Sequence, residues 1–488
     1  MSKQFLRVKI LANYINGMLA EPANGRYLNN IDPSTGHCYG KIPAGNQADV
    51  ESAVQAAEAA FPSWSQLPAT ERSRILVRLA DLIHEHRDML AEAESIDNGK
   101  PRSLAAQMDI PRAEDNIRFF ATAILHWSSE AHVMEDRAIN YTNRKPIGVV
   151  GCISPWNLPL YLFTWKIAPA LAIGNCVVAK PSEITPMTAF LFSKLCIEAG
   201  LPAGVLNIVH GLGAEAGDAI VNHPRIKAIS FTGGTATGAR IAAAAAPKFK
   251  KLSLELGGKN PTVIFDDCDY DKMLRTTLRA AFANQGQICL CGSRILVQDT
   301  LYDRFIADFT AKVSAMKVGD PLLDETKTGA VVSKAHMEKI LSCIELAKEE
   351  GGKVVCGGKQ VKLDGRCAEG YFVEPTVIIG LGPDCRTNRE EIFGPVVTIQ
   401  QFSTEEHALQ LANATEYGLA ASLWTSDVTR AHRFSARIES GIVWVNTWLL
   451  RDLRTPFGGV KHSGVGREGG WEALRFFTEP QNVCIELS

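Results

Sequence analysis

The chain has 488 residues, of which 46% are hydrophobic and 21% charged, and its formal net charge is -2. This is close to ordinary globular usage, and a chain of this length can bury several cores without disulfides or metals. Its near-neutral charge, with no block of Lys and Arg, argues against nucleic acid and anionic membranes as partners.

No apolar run reaches the ~18 residues of a transmembrane helix. Lys9 and Asn13 interrupt the N-terminal segment where a signal peptide would have its apolar core. We therefore expect a cytoplasmic protein that does not span a membrane. The 12 cysteines are scattered, with only Cys289 and Cys291 close together. Since metal-ligand spacing is missing, we expect reduced thiols and no metal site.

The first half of the chain alternates helical and strand patterns. Asn46 is a plausible cap for one helix, and a second helix with one apolar face follows Thr70. Short apolar runs bounded by Gly or Pro predict buried strands at Ile147–Ile153, Cys176–Ala179, Val205–Val209 and Ala228–Phe231. A helix is predicted between the second and third runs, capped by Thr185, with Pro186 at its first position and Gly200 at its end.

The alternation restarts near Asn260, with strands at TVIFDD and RILVQ and helices through Arg275–Phe282 and from Leu301 to Val313. Strand–helix alternation in both halves predicts two α/β domains with parallel sheets. The Gly-rich segment 256–259 would form the edge of a cleft between them. Alternating apolar residues in Asn482–Leu487 predict a terminal strand that could pair with another subunit.

Two strand ends carry possible nucleotide-binding residues. Phe231–Gly234 follows a strand and precedes a helix, whose first N–H groups could bind phosphate, or it could be a simple turn. Lys180 and Glu183 follow another strand and could bind ribose hydroxyls, or they could be a solvated loop. The nearest match to GxGxxG, at 211–217, has one residue too many before its last glycine and is weak evidence.

Three segments taken together are more informative than any of these patterns alone: SPWNLP (154–159), LELGGKNP (254–261) and FANQGQICL (282–290). They closely resemble the hallmark motifs of the aldehyde dehydrogenase superfamily. The segments FTGG, AKPSE, EEIFGPV and PFGGVKHSGVGRE also match that family, in order and at the expected intervals. The resemblance therefore covers nearly the whole chain.

The resemblance implies an aldehyde dehydrogenase-like α/β fold with two doubly wound domains, a Rossmann-like NAD-binding domain and a catalytic domain, plus a small β oligomerisation flap. The implied boundaries are 1–126 with 146–256 for the NAD-binding domain, 257–470 for the catalytic domain, and 127–145 with 471–488 for the oligomerisation segment. Homodimers or homotetramers are therefore expected.

The resemblance assigns Cys289 as nucleophile, Glu255 as base, and the Asn157 side chain with the Cys289 N–H as oxyanion hole. These residue types suit aldehyde oxidation, because a thiolate must first form a thiohemiacetal and a base must later assist hydrolysis of the thioester. Each alone has a plainer explanation, in packing, helix capping or a turn. Cys291 is a near competitor, but the G-Q-x-C spacing points to Cys289.

The family also implies NAD as cofactor, because Glu183 would repel the additional phosphate of NADP. The implied cofactor-binding residues are Trp156, Lys180, Glu183, Phe231, Thr232, Gly233, Gly234, Glu391 and Phe393.

The segments around Arg112 and Arg451 resemble those of the muconic semialdehyde dehydrogenases, which act on carboxylate-bearing aldehydes. The implied substrate-binding residues are Arg112, Arg451 and Trp165, with Arg454 close by, and the aromatic rings would suit a conjugated substrate. The expected reaction is oxidation of 2-aminomuconic 6-semialdehyde to 2-aminomuconate. A hydroxymuconic substrate, a broader aldehyde range and plain surface salt bridges of the arginines remain open.

Other classes are a non-catalytic structural member of the fold, a CoA-acylating relative and a nicotinamide-free thioesterase. The joint presence of Cys289, Glu255 and Asn157 argues against the first. CoA-acylating relatives typically lack the glutamate at the position of Glu255, so release to water is expected. Failure to bind NAD would be the mark of the thioesterase.

Overall fold

The structure is a computed structural model that describes residues 10–487. Its largest sheet has eight strands, in spatial order Met18–Ala20, Asn13–Ile15, Leu206–Ile208, Cys176–Lys180, Val149–Ile153, Ala228–Thr232, Lys251–Glu255 and Gly464–Val465. The five strands from Leu206–Ile208 to Lys251–Glu255 are parallel. All four predicted apolar runs form strands of this sheet, because helices cover it and leave little of it exposed.

The strand order reverses beside Val149–Ile153. From this strand the chain builds Cys176–Lys180 and Leu206–Ile208 on one side, and then crosses to Ala228–Thr232 and Lys251–Glu255 on the other. In a doubly wound sheet, the crevice at the carboxyl ends beside such a reversal is where ligands bind.

The helices of the first half of the chain, with one from the C-terminal end, are Gln47–Gln66, Ala69–Glu85, Arg87–Asn98, Arg102–Leu104, Ile110–Ala123, Pro159–Ala172, Met187–Glu198, Asp218–Asn222, Thr235–Ala245 and Gly470–Phe476. The predicted Asn46 cap is confirmed, since its side chain accepts a hydrogen bond from the Ala48 N–H at 2.8 Å. The predicted start at Pro186 is wrong. The helix begins at Met187, and its first N–H donates to Asp97 Oδ2 at 2.7 Å rather than to Thr185.

The second half forms a seven-stranded sheet, in spatial order Lys353–Cys356, Thr376–Ile379, Val396–Phe402, Arg294–Gln298, Pro261–Ile264, Ala420–Trp424 and Ile442–Val445. All neighbours are parallel except the first pair. Its helices are Tyr270–Phe282, Asp299–Ser314, Lys334–Glu349, Arg386–Arg389, Glu405–Asn413 and Val428–Ser435. The predicted second α/β unit is therefore present.

A separate three-stranded antiparallel sheet joins Ala131–Met134, Ala138–Pro146 and Thr478–Glu486. The predicted terminal strand is thus present and pairs within its own chain. Three two-stranded pairs complete the strands: Tyr27–Asp32 with His37–Pro43, Gln360–Val361 with Phe372–Val373, and Tyr417–Gly418 with Val460–Lys461. Across residues 10–487, each helix falls short of the length and apolarity required to cross a membrane.

Candidate active site

The three hallmark segments meet at the carboxyl ends of the first sheet. They contribute Trp156, Asn157, Leu256, Gly257 and Cys289 to one cavity of about 220 Å³. The first two follow the strand that ends at Ile153, and Leu256 and Gly257 follow the strand that ends at Glu255. The cavity thus lies at the crevice where the strand order reverses, as expected for a doubly wound sheet.

A tight turn delivers Cys289 to this cavity. Asn284, Gln285 and Gly286 have φ angles of 52°, 56° and 69°, so three successive residues are left-handed. Gly286 is needed for space as well, because a Cβ there would lie 2.1 Å from the Gly394 carbonyl oxygen. Such a run of left-handed residues is costly and persists only where the surrounding structure holds it.

Hydrogen bonds from outside the turn hold the segment around Cys289. Asn260 Nδ2 donates to the carbonyls of Cys289 and Cys291, at 2.6 and 2.9 Å, and Trp448 Nε1 donates to the Leu290 carbonyl at 2.8 Å. Within residues 10–487 the Cys289 N–H donates to no group of the chain, so it is free to bind an oxyanion.

The electrostatics of Cys289 favour the neutral thiol. Burial raises its pKa well above the usual range, and the nearby carboxyls of Glu391 and Glu255 raise it further. The guanidinium of Arg451 acts in the opposite direction. The thiolate therefore depends on the positive charge at Arg451 and on what enters the cavity.

Asn157 lies beside the nucleophile turn and is buried. Its side-chain Nδ2 donates to the Gln287 carbonyl at 3.0 Å, which fixes the amide next to Cys289 and leaves its second N–H available. Its own carbonyl accepts hydrogen bonds from Lys100 Nζ at 3.0 Å and Asn284 Nδ2 at 2.9 Å.

Glu255 ends its strand behind the cavity wall. Both of its carboxyl oxygens are buried and without a hydrogen-bond partner among the described residues, and a Cβ on Gly458 would lie 2.7 Å from Oε1. Burial, followed by the carboxylate of Glu468, raises the pKa of Glu255 well above its ordinary value. The shift favours the protonated carboxyl, and rotation of the side chain toward Cys289 would break no hydrogen bond.

Lys166 and Glu468 form a buried ion pair near this base. Lys166 Nζ donates to Glu468 Oε1 at 2.8 Å, and Ser230 Oγ donates to the same oxygen at 3.0 Å. Lys166 opposes the rise in the pKa of Glu255, as do Arg467 and Arg451. These charges therefore influence how readily Glu255 loses its proton.

Two predicted cofactor residues, Glu391 and Phe393, reach the cavity from the second sheet's side. Glu391 Oε1 accepts the Gly258 N–H at 2.9 Å, and burial raises the pKa of this carboxyl. The Phe393 and Trp156 rings meet edge to face, with centroids 5.2 Å apart. Thr232, Gly233 and Gly234 line the same space.

Two of the remaining predicted cofactor residues, Glu183 and Phe231, line a second cavity of about 360 Å³. Lys180 Nζ donates to Glu183 Oε2 at 2.9 Å. Burial opposes ionisation of Glu183, but the charge and hydrogen bond of Lys180 together with backbone hydrogen bonds lower the pKa of this carboxyl overall. The weak GxGxxG match lines the same cavity, where Gly213–Gly217 forms a π-helical turn.

The predicted arginines converge on Tyr161. Arg451 Nη1 donates to the Tyr161 hydroxyl at 2.6 Å, and the Arg112 guanidinium lies 6.0 Å from the centre of the same ring. Both arginines line an open cavity of about 930 Å³. Trp165 is 2% exposed and lies behind Arg451, 5.0 Å from its guanidinium, so it supports this arginine from below. Arg454 is bound to Asp452.

Sequence reasoning missed several residues of the first cavity. His336 and Lys339 line it, and the His336 Nε2 lies 2.7 Å from the Phe393 carbonyl oxygen. Burial lowers the pKa of His336 to about 4, so this ring is neutral. Both lie in the helix Lys334–Glu349, which carries none of the family motifs that we used. Asn260 was inside a quoted motif but had no assigned role.

Comparisons with known proteins agree with this geometry. Residues 20–483 match the aldehyde dehydrogenase family. The chain is 48% identical to the 2-aminomuconic semialdehyde dehydrogenase of Bos taurus over 480 residues, 98% of each chain. It is 44% identical to the 2-hydroxymuconic semialdehyde dehydrogenase of Pseudomonas putida, over 98% of this chain and 100% of that one. An aldehyde dehydrogenase of Bacillus cereus, solved in complex with NAD+, has a TM-score of 0.96 and 38% identity, covering 100% of this chain and 98% of that one. The chain belongs to the aldehyde dehydrogenase family.

Proposed function

We propose that this protein oxidises a carboxylate-bearing aldehyde to the acid with NAD, and that its substrate is 2-aminomuconic 6-semialdehyde. The observation that carries the proposal is the pair Arg451 and Arg112 on Tyr161, with Arg451 near enough to shift the pKa of both Cys289 and Glu255. The relatives named for muconic semialdehydes support the same substrate class.

The first step is attack of the Cys289 thiolate on the aldehyde carbon. The resulting oxyanion lies where the free Cys289 N–H and the remaining Asn157 amide N–H can donate to it. Losing one such donor typically slows catalysis by about 10²–10³-fold. The chemistry that bound NAD supplies is acceptance of a hydride from the thiohemiacetal carbon, which leaves a thioester on Cys289.

Glu255 then serves hydrolysis of the thioester. With its proton removed, the carboxylate takes a proton from the attacking water, and the Cys289 thiolate leaves as the acid is released. Burial, followed by the carboxylate of Glu468, raises the pKa of Glu255, which makes its carboxylate a stronger base than that of an exposed glutamate. The buried ion pair of Lys166 and Glu468 lies near Glu255 and influences how tightly Glu255 holds that proton.

Residues of both strand-end cavities fit NAD. The Thr232 hydroxyl is buried without a hydrogen-bond partner in the described chain, and nothing lies within 4 Å of the Cβ position of Gly234, which precedes the helix Thr235–Ala245. Lys180 and Glu183 would hold the adenosine ribose, and the Glu183 charge would disfavour NADP. Trp156, Glu391 and Phe393 would hold the nicotinamide riboside.

Three arginines, Arg112, Arg451 and Arg454, line the open cavity near the substrate entrance, and in this proposal Arg451 rather than Arg454 binds the carboxylate together with Arg112. Its guanidinium packs 4.0 Å from the centre of the Phe457 ring and 5.0 Å from that of Trp165, so it is held in place. Arg454 is 80% exposed in its side chain and already paired with Asp452. A planar guanidinium binds a carboxylate with two parallel hydrogen bonds.

The proposal is tested by NADH formation with 2-hydroxymuconic semialdehyde, the more tractable analogue, beside hexanal. Wild type should strongly prefer the muconic aldehyde, and Arg451→Ala should remove that preference, while Arg454→Ala should keep it. Equal use of hexanal, unaffected by Arg451→Ala, would remove the muconic assignment. Absence of NADH with every aldehyde would instead contradict the dehydrogenase reaction itself.

We also propose that the protein is a homo-oligomer. In the three-stranded sheet, Val133, Ile139 and Ile485 lie opposite one another across the strands, and Tyr141 and Val483 form the next row on the same face. The side chain of Val133 is 73% exposed and that of Ile485 is 50% exposed. A second copy of this chain is the occupant that we propose for this apolar face.

A further inference from the structure

A fully buried ion cluster lies behind the loop that carries Asn157. Lys100 Nζ donates a hydrogen bond to Asp109 Oδ2 and lies 3.8 Å from Glu94 Oε1. All three side chains are completely buried. Burial raises the pKa of Glu94 and of Asp109, and the ammonium of Lys100 opposes both shifts. Because buried charges are costly, a cluster of this kind needs a reason to be where it is.

This cluster binds the main chain of the oxyanion loop directly. Lys100 Nζ donates to the Asn157 carbonyl at 3.0 Å, and Glu94 Oε2 accepts the Leu160 N–H at 3.3 Å. Two residues before Lys100, Asn98 Nδ2 donates to the Trp156 carbonyl at 2.9 Å. Two consecutive carbonyls of the loop are therefore held by side chains of one short turn.

The turn and the counter-charge are themselves tightly fixed. Gly99 has φ +85°, and a Cβ there would lie 2.7 Å from the Ala330 carbonyl oxygen, which holds the turn against the second half of the chain. Asp109 ends a π-helical turn, Ala105–Asp109, which leads into the helix that bears Arg112. Turns of this type insert one residue into a helix and are frequent at functional sites.

We propose that Lys100, held by Asp109 and Glu94, is a positioning residue of the oxyanion hole, because it fixes the Asn157 backbone and so aims the Asn157 amide. The inference rests on the proposed function of Asn157. An oxyanion donor must lie within about 2.7–3.1 Å of the oxyanion, and a misplacement of about 1 Å can slow a reaction by about 10²-fold. Lys100 touches no reacting atom and acts only through Asn157.

A double-mutant cycle separates positioning from general structural damage. The four proteins are wild type, Lys100→Met, Asn157→Ala and the double variant, and the readout is the rate constant of the first-turnover NADH burst with 2-hydroxymuconic semialdehyde. If Lys100 acts through Asn157, Lys100→Met slows the burst by about tenfold or more in wild type but less than about twofold in the Asn157→Ala background. Equal slowing in both backgrounds overturns the proposal, as does no slowing in wild type.

Two further variants provide a control for the double-mutant cycle and an alternative to Lys100→Met. Lys250→Met removes another buried lysine that donates to a carbonyl, that of His223 at 2.6 Å, and should leave the burst rate unchanged. Asp109→Asn keeps Lys100 but removes its charged partner. If Lys100→Met does not fold, Asp109→Asn should slow the burst where Asn157 is intact, by less than Lys100→Met would, and should not slow it in the Asn157→Ala background. Slowing of Asp109→Asn that is equal in both backgrounds contradicts the proposal. A wild-type protein that forms no NADH with this or any other aldehyde would instead contradict the proposed function.

Discussion

Glu255 and Cys289 oppose each other electrostatically. The Glu255 carboxylate raises the pKa of the Cys289 thiol, so the two negative charges are not favoured at the same time. In the proposed reaction the two charges are needed at different times, because Cys289 attacks first and Glu255 acts as a base only in the later hydrolysis.

Glu255→Gln should therefore keep the first-turnover burst of NADH and lose steady-state turnover. Glutamine has the same size and no charge, so it does not hinder thiolate formation, but it cannot accept a proton from water. General bases typically contribute about 10²–10⁴-fold, and the steady-state rate should fall by that order. Stopped-flow absorbance of NADH separates the two phases. A burst that falls as far as the steady-state rate would rule out this separation of the two steps.

The pH dependence of turnover gives a second test of the same residue. Because burial and Glu468 raise the pKa of Glu255, the carboxyl holds its proton until the pH passes that raised value. Where hydrolysis limits turnover, the steady-state rate of wild type should rise with pH, and the rise should lie at higher pH than for an ordinary glutamate. Glu255→Gln should lack this rise in a pH-rate profile, and a persisting rise would assign it to another group.

Arg451→Met should make Cys289 less acidic. The guanidinium is the group that lowers the pKa of this thiol, so its loss raises the pKa and leaves less thiolate at a given pH. Alkylation by iodoacetamide, which is uncharged, should shift to higher pH and slow by up to roughly tenfold near neutrality. Arg454→Met is the matched control, since Arg454 is paired with Asp452, and its profile should stay in place. An unshifted Arg451→Met profile would deny Arg451 this role.

The sequence allowed us to name candidate residues of the site, but not to predict their pKa shifts or their packing contacts. Cys289, Glu255 and Asn157 could be named because family motifs mark them, and the structure brings their segments to one crevice. The role of Trp165 as a support beneath Arg451 depends on side-chain packing, which sequence spacing does not encode. Lys100 was missed because its partners, Asp109 and Asn157, are 9 and 57 residues away.

At the scale of elements, the strand-end turns determine the site. The parallel strands of the first sheet could be predicted because burial on both faces makes them continuous apolar runs. The nucleophile turn could not, since Asn284 and Gln285 are not glycines and still adopt left-handed conformations. The predicted helix start at Pro186 was wrong because the first N–H of the helix donates to Asp97, a tertiary contact, rather than to a local cap.

The nucleophile turn should be sensitive to a single methyl group. Gly286→Ala combines a left-handed φ with a Cβ that would meet the Gly394 carbonyl, whereas Gly200→Ala has a left-handed φ of +72° and nothing within 4 Å. Gly200→Ala should lower the free energy of unfolding by about 1 kcal/mol, the usual cost of the left-handed conformation. Gly286→Ala should lower the thermal midpoint further and slow Cys289 alkylation. Equal midpoints for the two variants would show that the clash relaxes without cost.

At the scale of the whole molecule, two open sheets and a small antiparallel sheet share the chain. The boundaries at 126, 146, 256 and 470 stay a prediction. Gly464–Val465 extends the first sheet although it lies late in the sequence, next to Glu255, so the site draws its elements from both halves. Sequence alternation alone could not place such a short strand, because it contains only two residues.

The small sheet carries the exposed apolar face that we assign to contact with a second copy of the chain. Its rows Val133–Ile139–Ile485 and Ala131–Tyr141–Val483 form one apolar face over three strands, and the paired positions are fixed by register. Because an exposed face of this kind is costly in water, we expect a second copy to cover it. Val133→Lys with Ile485→Lys should place two charges in that contact.

The double lysine variant should therefore have a smaller mass than wild type in light scattering at micromolar concentration. Val428→Lys, at an exposed apolar residue in the helix Val428–Ser435 of the second half, is the control and should keep the wild-type mass. The first-turnover NADH burst tells whether a separated chain still carries a complete site. All residues that we assign to the reaction come from one chain, so the burst should survive dissociation. An unchanged mass in the lysine variant would contradict the proposed interface, whereas dissociation with loss of the burst would mean that the site depends on its neighbour.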